Sequence, residues 1–388
     1  MKKIDINKYI KGDKHLWIFI SLLSIFSFFS AYTISSSLVI FYERGFFSIF
    51  CFLFKHFFLL FTGFIILFTT QFINYKFFYK MSKFFLPVVL PVVLLILLFM
   101  TVIRGEKMIG INIFKFIYIP IIDKSFQIYN IASLFLFIYC ARYLTDKKND
   151  KIELINSFIP LLFPIFLVIL LVSPYSRYNA IIIFISILIF LFIGRYPIIN
   201  LIGMFLIGIL FSVIYILFFI HCNEKYNIDV DENMWKNNIE KFSFEEENYK
   251  IIKSKFNNKI VKNSENDILK NFLPESYSDF IYPIIIEKYG FFGGIILLFI
   301  YLLILFRIII IATKVQNYFC TLLVFAVGFP IIIQALFNMG LSVGILPFTG
   351  QNLPLISTEC ISIWITFFSF GIILSISRMI YEKSKLKF

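Results

Sequence analysis

The sequence predicts an all-α, polytopic membrane protein with about ten transmembrane helices, and three observations carry that prediction. Hydrophobic residues make up 60% of the 388, and the mean hydropathy is +0.89, whereas a soluble domain carries roughly 45–50% apolar residues. The apolar residues fall into blocks close to the roughly 20 residues that a helix needs to cross hydrocarbon. Lys and Arg gather in alternate connections, as they do in loops kept on the cytoplasmic side.

Taken in order, the first span runs from about Leu16 to Ile40, the second from Lys55 to Ile73, the third from Phe85 to Ile103 and the fourth from Gln127 to Leu144. The fifth and sixth, Ile155–Val172 and Asn179–Gly194, are separated by a short break at Pro174 to Arg177. The seventh covers Ile198–His221. The eighth, Ile281–Ile311, is long enough for its first part to lie along the interface. The ninth is Tyr318–Phe337 and the tenth Ile361–Ile380. The basic amino terminus lacks the short apolar core and small-residue cleavage site of a signal peptide, so the first span is expected to be retained. Ten spans put Lys2 to Lys14, Lys76 to Lys83, Arg142 to Lys151 and Arg378 to Lys387 on one side. Both termini are therefore expected in the cytoplasm. The segment 222–279 then becomes a large extracytoplasmic loop between helices 7 and 8, within a single membrane domain of residues 1–388.

The net charge of +13 fits cytoplasmic loops better than nucleic acid, and no nucleic-acid partner is expected. The five Cys and three His are dispersed, without metal-ligand spacing, so no metal site is read from them. Arg104, Lys107, Lys115 and Lys124 break the trend, because ten spans put them on the outer side. Cations kept there suit an anionic ligand as well as they suit plain solvation.

Asp279 stands where the polar loop meets the eighth span. A carboxylate at a membrane boundary is costly. Taken alone, Ser278-Asp279 before an apolar run favours a helix N-cap. The surrounding block is Asn271-Phe-Leu-Pro-Glu275, then Asp279-Phe-Ile, Glu287 and Tyr289-Gly-Phe-Phe-Gly-Gly294. A second block holds Gln334, Asn338-Met-Gly340 and Ile345-Leu-Pro347-Phe-Thr-Gly350-Gln-Asn-Leu-Pro354-Leu-Ile-Ser357. Together the two blocks resemble the FtsW/RodA/SpoVE family. The opening Lys11-Gly-Asp-Lys-His-Leu-Trp17 and the run Trp235–Phe242 resemble its cell-division branch. Departures are also plain. The family's Gln-Pro-Ser-Glu at span four survives only as Gln127, with Asn130 in place of the acid, and its Tyr-Gly-Gly-Ser-Ser has become Thr358-Glu-Cys-Ile-Ser362.

The resemblance implies a peptidoglycan glycosyltransferase of the bacterial cytoplasmic (inner) membrane. It would polymerise lipid II, an undecaprenyl-pyrophosphate disaccharide-pentapeptide, beside a class B penicillin-binding protein and other divisome proteins. It implies Asp279 as the catalytic residue, a general base on the acceptor hydroxyl, since the Asp of this loop is essential in the family. Burial against Phe280, Ile281 and Tyr282 should raise its pKa. Lys115 and Arg104 are expected to meet the pyrophosphate, with Glu275 and Ser357 as further substrate-binding candidates. Glu287, Gln334, Asn338, Pro347, Gly350 and Pro354 are expected to orient or brace the site. Gln334 and Asn338, four apart on one face, are expected to satisfy backbone or one another. The two prolines with Gly350 predict an irregular, re-entrant outer loop. No cofactor is written into the motifs, although a divalent cation, Mg or Mn, could share the pyrophosphate role. Three alternatives stay open: a lipid II flippase, a catalytically degenerate divisome scaffold that recruits the penicillin-binding protein, and an elongation rather than a division role.

Overall fold

The computed structural model describes residues 12–42, 46–84, 128–148, 158–173, 177–226, 281–342 and 352–385, and every regular element among them is helical. The helices are α1 Lys14–Tyr42, α2 Phe46–Thr70, α3 Tyr75–Met81, α4 Ile128–Asp146, α5 Phe163–Val172, α6 Arg177–Ile193, α7 Ile198–Tyr226, α8 Ile281–Lys314, α9 Tyr318–Ser342 and α10 Cys360–Lys385. A π-helical turn, Phe158–Leu162, leads into α5. All but α3 fall on predicted spans, and the third predicted span lies outside the described residues. Five of the described helices contain stretches long and apolar enough to cross a membrane, with shorter apolar stretches in α5, α6 and α7. The backbone of α7 stays helical to Tyr226, slightly past the point where the sequence suggests a loop.

Side chains that would be core in water point outward here. Phe50, Phe54, Phe57 and Phe61 of α2 and Phe291, Phe299 and Phe306 of α8 are exposed. In lipid this is expected, because apolar surface gains little by moving from acyl chains to a protein interior. Helices associate instead through close van der Waals contact and interhelical hydrogen bonds. The α2–α10 seam follows that rule. A Cβ on Gly63 would lie 2.2 Å from the Phe367 ring, and one on Gly371 would lie 2.6 Å from Thr70 Cβ. The Trp364 indole N–H donates to Thr62 Oγ1 at 3.0 Å across the same seam. Ser27 of α1 and His56 of α2 are joined at 2.9 Å. The central helix is α9, which packs on α4, α6, α8 and α10.

The bundle has one basic end. There Asp13 caps α1, its Oδ1 accepting from the backbone N–H groups of His15 and Leu16 at 3.0 and 3.1 Å. Its other carboxylate oxygen pairs with Arg307 of α8, and its own N–H donates to Ser377 Oγ of α10 at 2.7 Å. Gly12 has φ +99°, and a Cβ there would sit 2.9 Å from Ser377 Oγ, so the Gly12-Asp13 step admits no side chain at the first position. This explains the Lys11-Gly-Asp opening physically: it ties the start of the described chain to α8 and α10. Nearby, the Tyr79 hydroxyl of α3 donates to Asp146 at 2.6 Å, and Arg142 lies over the Tyr79 ring at 5.4 Å. The α6–α7 turn turns on Arg195, held at φ +56°.

Helix α8 is broken. Gly290 has φ 72° and ψ 179°, inside what otherwise reads as one helix. The segment before the break folds back on the segment after it, so that the Tyr282 hydroxyl donates to the Gly294 carbonyl at 3.2 Å. In a straight helix, residues 12 apart would stand about 18 Å apart. Gly290 supplies the left-handed conformation that L-residues resist. Gly294 supplies room, since a Cβ there would lie 2.8 Å from Ile286. The Tyr-Gly-Phe-Phe-Gly-Gly run is thus a fold-back device. The first part of the eighth span does not continue the long helix; it docks beside α1, with Tyr289 OH 3.4 Å from Thr33 Oγ1 and Lys288 over the Tyr32 ring at 5.3 Å.

Candidate functional site

At the end of the bundle away from the basic cluster, α4, α6 and α9 enclose a small cavity. Its polar lining is Asn130 and Ser133 from α4, Asn179 and Ser186 from α6, and Gln334 from α9. On each helix the lining residues are spaced three, four or seven apart, which puts them on one face. Pro330 also lines the cavity, inside α9. It has no N–H to offer the carbonyl four residues back, so the helix loses one internal bond beside the cavity. Ser133 Oγ donates to the Asn130 carbonyl at 2.9 Å. Ser186 is 1% exposed, and its hydroxyl has no protein partner.

The irregular segment 352–359 closes the same end. Asn352, Leu353, Pro354, Leu355, Ile356 and Ser357 are all buried. Non-helical backbone at membrane depth is tolerated only where protein or water satisfies it, and here side chains do so. The Gln334 amide Nε2–H donates to the Asn352 carbonyl at 3.1 Å, and the Tyr301 hydroxyl donates to the Pro354 carbonyl. The Asn352 side-chain amide in turn donates to the Glu359 carboxylate. The turn itself is closed by the N–H groups of Ile356 and Ser357, which donate to Leu353 O at 3.1 and 2.9 Å. Leu355 is fully buried at φ 66°, a conformation that costs a non-glycine residue about 1–2 kcal/mol. Asn352 Oδ1 and Ser357 Oγ are buried without a protein partner. Among the described residues, no group of three or more His, Cys, Asp or Glu is arranged to hold a metal ion. The described site is therefore a set of neutral amides and hydroxyls with one carboxylate at its edge. It is equipped to hydrogen-bond hydroxyl and amide groups rather than to neutralise an anion.

Of the sequence-predicted residues, Gln334 lines the cavity and holds the Asn352 backbone, and Asn338 is buried one turn further along α9. Pro354 offers its carbonyl to Tyr301, and Ser357 is fully buried in the same segment. Glu287 lies on the fold-back segment of α8. Asp279, Glu275, Lys115, Arg104, Pro347 and Gly350 lie outside the described residues; Asp279 is two positions before α8 begins. Sequence reasoning missed Asn130, Ser133, Asn179 and Ser186 as a set, and it left Glu359 without a role. The available signal was the helical spacing of rare polar residues in otherwise apolar spans.

The sequence signature of the FtsW/RodA/SpoVE cell cycle proteins matches residues 13–382. Among relatives called "Probable peptidoglycan glycosyltransferase FtsW", that of Enterococcus hirae is 38% identical over 117 residues, 30% of this chain and 30% of its own length. That of Wigglesworthia glossinidia brevipalpis is 30% identical over 63% of this chain and 64% of its own length. That of Buchnera aphidicola is 29% identical, with 72% of each chain covered. In the first two, the matched stretch spans less than two thirds of the relative. Among solved structures, Thermus thermophilus rod shape determining protein RodA superposes with TM-score 0.62 at 18% identity, covering 96% of this chain and 99% of that one. A chain from a peptidoglycan synthase complex that coordinates polymerization and crosslinking gives TM-score 0.67 at 19% identity, with the same coverage. The likeness to these structures is one of fold, an all-helical polytopic membrane bundle; by its sequence the chain belongs to the FtsW/RodA/SpoVE family of cell cycle proteins.

Proposed function

We propose that the protein is a peptidoglycan glycosyltransferase that polymerises lipid II during cell division, working beside a class B penicillin-binding protein. The observation that carries this reading is the family match over residues 13–382 together with the position of Asp279. That residue stands two places before a segment which Gly290 folds back onto the end of the bundle away from the basic cluster. By the positive-inside pattern, the basic end of Asp13, Lys76, Lys80, Arg142 and Arg378 faces the cytoplasm. The cavity and the start of α8, two residues after Asp279 in sequence, then face outward from the cytoplasmic membrane, where a lipid-linked sugar would be presented.

In the proposed reaction the acceptor sugar hydroxyl attacks the anomeric carbon of the donor. A carbon–oxygen bond forms, the bond to undecaprenyl pyrophosphate breaks, and the pyrophosphate leaves with the electron pair. Asp279 takes the hydroxyl proton, a contribution of roughly 10²–10⁴-fold for a positioned base. Lys115 and Arg104 provide positive charge for the leaving group. Mg²⁺ or Mn²⁺ would add counter-charge there, although the described residues hold no group of three or more His, Cys, Asp or Glu for either. The cavity amides and hydroxyls bind and orient sugar or peptide polar groups.

The test is reconstitution in vesicles with a class B penicillin-binding protein and lipid II, comparing the native chain with Asp279→Asn. Asn keeps a capping side chain but cannot serve as the base, so polymer is expected from the native chain and is expected to fall by at least 10²-fold in the variant. Polymer from both forms would remove Asp279 from the mechanism. Lipid movement without polymer would favour a flippase, and neither activity would favour a scaffold.

A further inference from the structure

We propose that Glu359 is the positioning carboxylate of this site, acting on the cavity through Asn352 and Gln334. The proposal rests on the glycosyltransferase reading for its substrate. Its geometry comes from three linked contacts. The Glu359 carboxylate accepts from the Asn352 amide, the Asn352 carbonyl accepts from Gln334 Nε2 at 3.1 Å, and Gln334 forms part of the cavity wall opposite Asn130 and Asn179.

Each contact removes a freedom. Asn352 is 2% exposed, and its amide could face either way. A carboxylate accepts and never donates, so Glu359 draws the NH₂ group toward itself and leaves Oδ1 turned away, buried and without a protein partner. Holding Asn352 holds its carbonyl in place for Gln334. The bond from Gln334 Nε2 then fixes how that carboxamide is turned at the cavity. Hydrogen bonds to a charged acceptor are about twice as strong as neutral ones, which suits an irregular segment that also carries Leu355 in a left-handed conformation.

Charge accounting at the cavity points the same way. The described cavity lining holds no charge of its own. The Glu359 charge stands behind the Gln334 wall, two hydrogen bonds away. Glu359 is a positioning residue in this account and touches no reacting atom.

The test compares the full chain with Glu359→Gln and with Glu359→Asp, in the reconstituted system with lipid II. A Gln at 359 can still accept from Asn352, so only the charge is lost. Glu359→Gln is expected to lower the polymerisation rate about tenfold, and Glu359→Asp, which keeps the charge, is expected to lower it less. A fully active Glu359→Gln variant, or a Glu359→Asp variant no better than Glu359→Gln, overturns the proposal. A second readout does not depend on turnover: the side-chain ¹⁵N resonance of Gln334 should shift in Glu359→Gln and stay in place in Asp279→Asn. If no form makes polymer, the glycosyltransferase reading fails. A shifted Gln334 resonance would then still support the positioning role, and an unshifted one would overturn it.

Discussion

The two ends of the bundle handle polar groups in opposite ways. At the basic end, charges meet charges. Asp13 is 4% exposed on its side chain, pairs with Arg307, caps α1 and receives Ser377. Asp146 takes both the Tyr79 hydroxyl and, at 3.3 Å, Arg142. Gln71, buried without partners, and the Nε atoms of Arg142 and Arg307, buried without hydrogen bonds, are exceptions there. At the other end the buried groups are neutral, and several retain unused hydrogen-bonding capacity: Ser186 Oγ, Asn352 Oδ1 and Ser357 Oγ. Among the described residues, the two non-glycine residues with positive φ divide likewise. Arg195 is exposed at a turn, whereas Leu355 is fully buried beside the cavity. A buried polar atom without a partner costs about 1–3 kcal/mol, and strain of this kind concentrates where a site must be shaped. One end holds the helices together, and the other keeps polar capacity available for something that is not protein.

The largest effect expected of this contrast lies at the basic end. Arg307→Ala leaves the buried Asp13 carboxylate uncompensated and should cost about 3–5 kcal/mol of stability, read as a lower thermal midpoint in detergent. Replacing both partners, Asp13→Asn with Arg307→Met, keeps the cap and removes both charges, so it should cost less than the single change. A silent Arg307→Ala would mean that the latch does not hold α1, α8 and α10 together, and the division of labour between the ends would fail.

At the other end the expected sign is reversed. Ser186→Ala removes a hydroxyl that has no protein partner, so stability should stay level or rise by about 1 kcal/mol. Polymerisation should nevertheless fall about tenfold if that hydroxyl is kept for substrate or for an ordered water. A variant that is both stabilised and fully active would show that the spare capacity serves nothing.

How much of this could be read from the chain differs between the ends for a physical reason. Helix existence was legible because a membrane crossing demands a long apolar run, and the described spans fall where those runs lie. The break in α8 was half legible: Gly290, Gly293 and Gly294 were visible as a motif, but nothing in one sequence says that Tyr282 reaches back to Gly294. Asp13 was visible only as part of a resemblance, because its partners Arg307 and Ser377 are 294 and 364 residues away. The cavity was hardest to read. Asn130, Ser133, Asn179 and Ser186 are ordinary polar residues, and only the packing of α4, α6 and α9 gathers them. Glu359 looked anomalous until Asn352, seven residues earlier, supplied its partner.

The smallest effect sharpens the contrast through pH. Tyr79 lies on α3, outside the spans, and its phenol is pushed above the ordinary tyrosine range. The chief cause is its hydrogen bond to Asp146, followed by burial and by the Asp146 charge, with Arg142 opposing. Ionising Tyr79 would set two anions against each other and break the bond. Because the folded pKa is raised, the stabilisation is fully present below the unfolded value of about 10 and is lost as pH rises from there through the folded value. Asp146 is 39% exposed on its side chain, so solvent screens the pair and limits its worth to about 0.5–1 kcal/mol. Tyr79→Phe should therefore be slightly less stable than the native chain at pH 8, and the gap should close as pH rises from about 10 through the raised folded value. The native-minus-variant difference in unfolding midpoint isolates this residue, since every other tyrosine is common to both forms. A gap that is flat across that range would mean that the Tyr79–Asp146 contact carries no stability. The basic end would then rest on Asp13 and Arg307 alone.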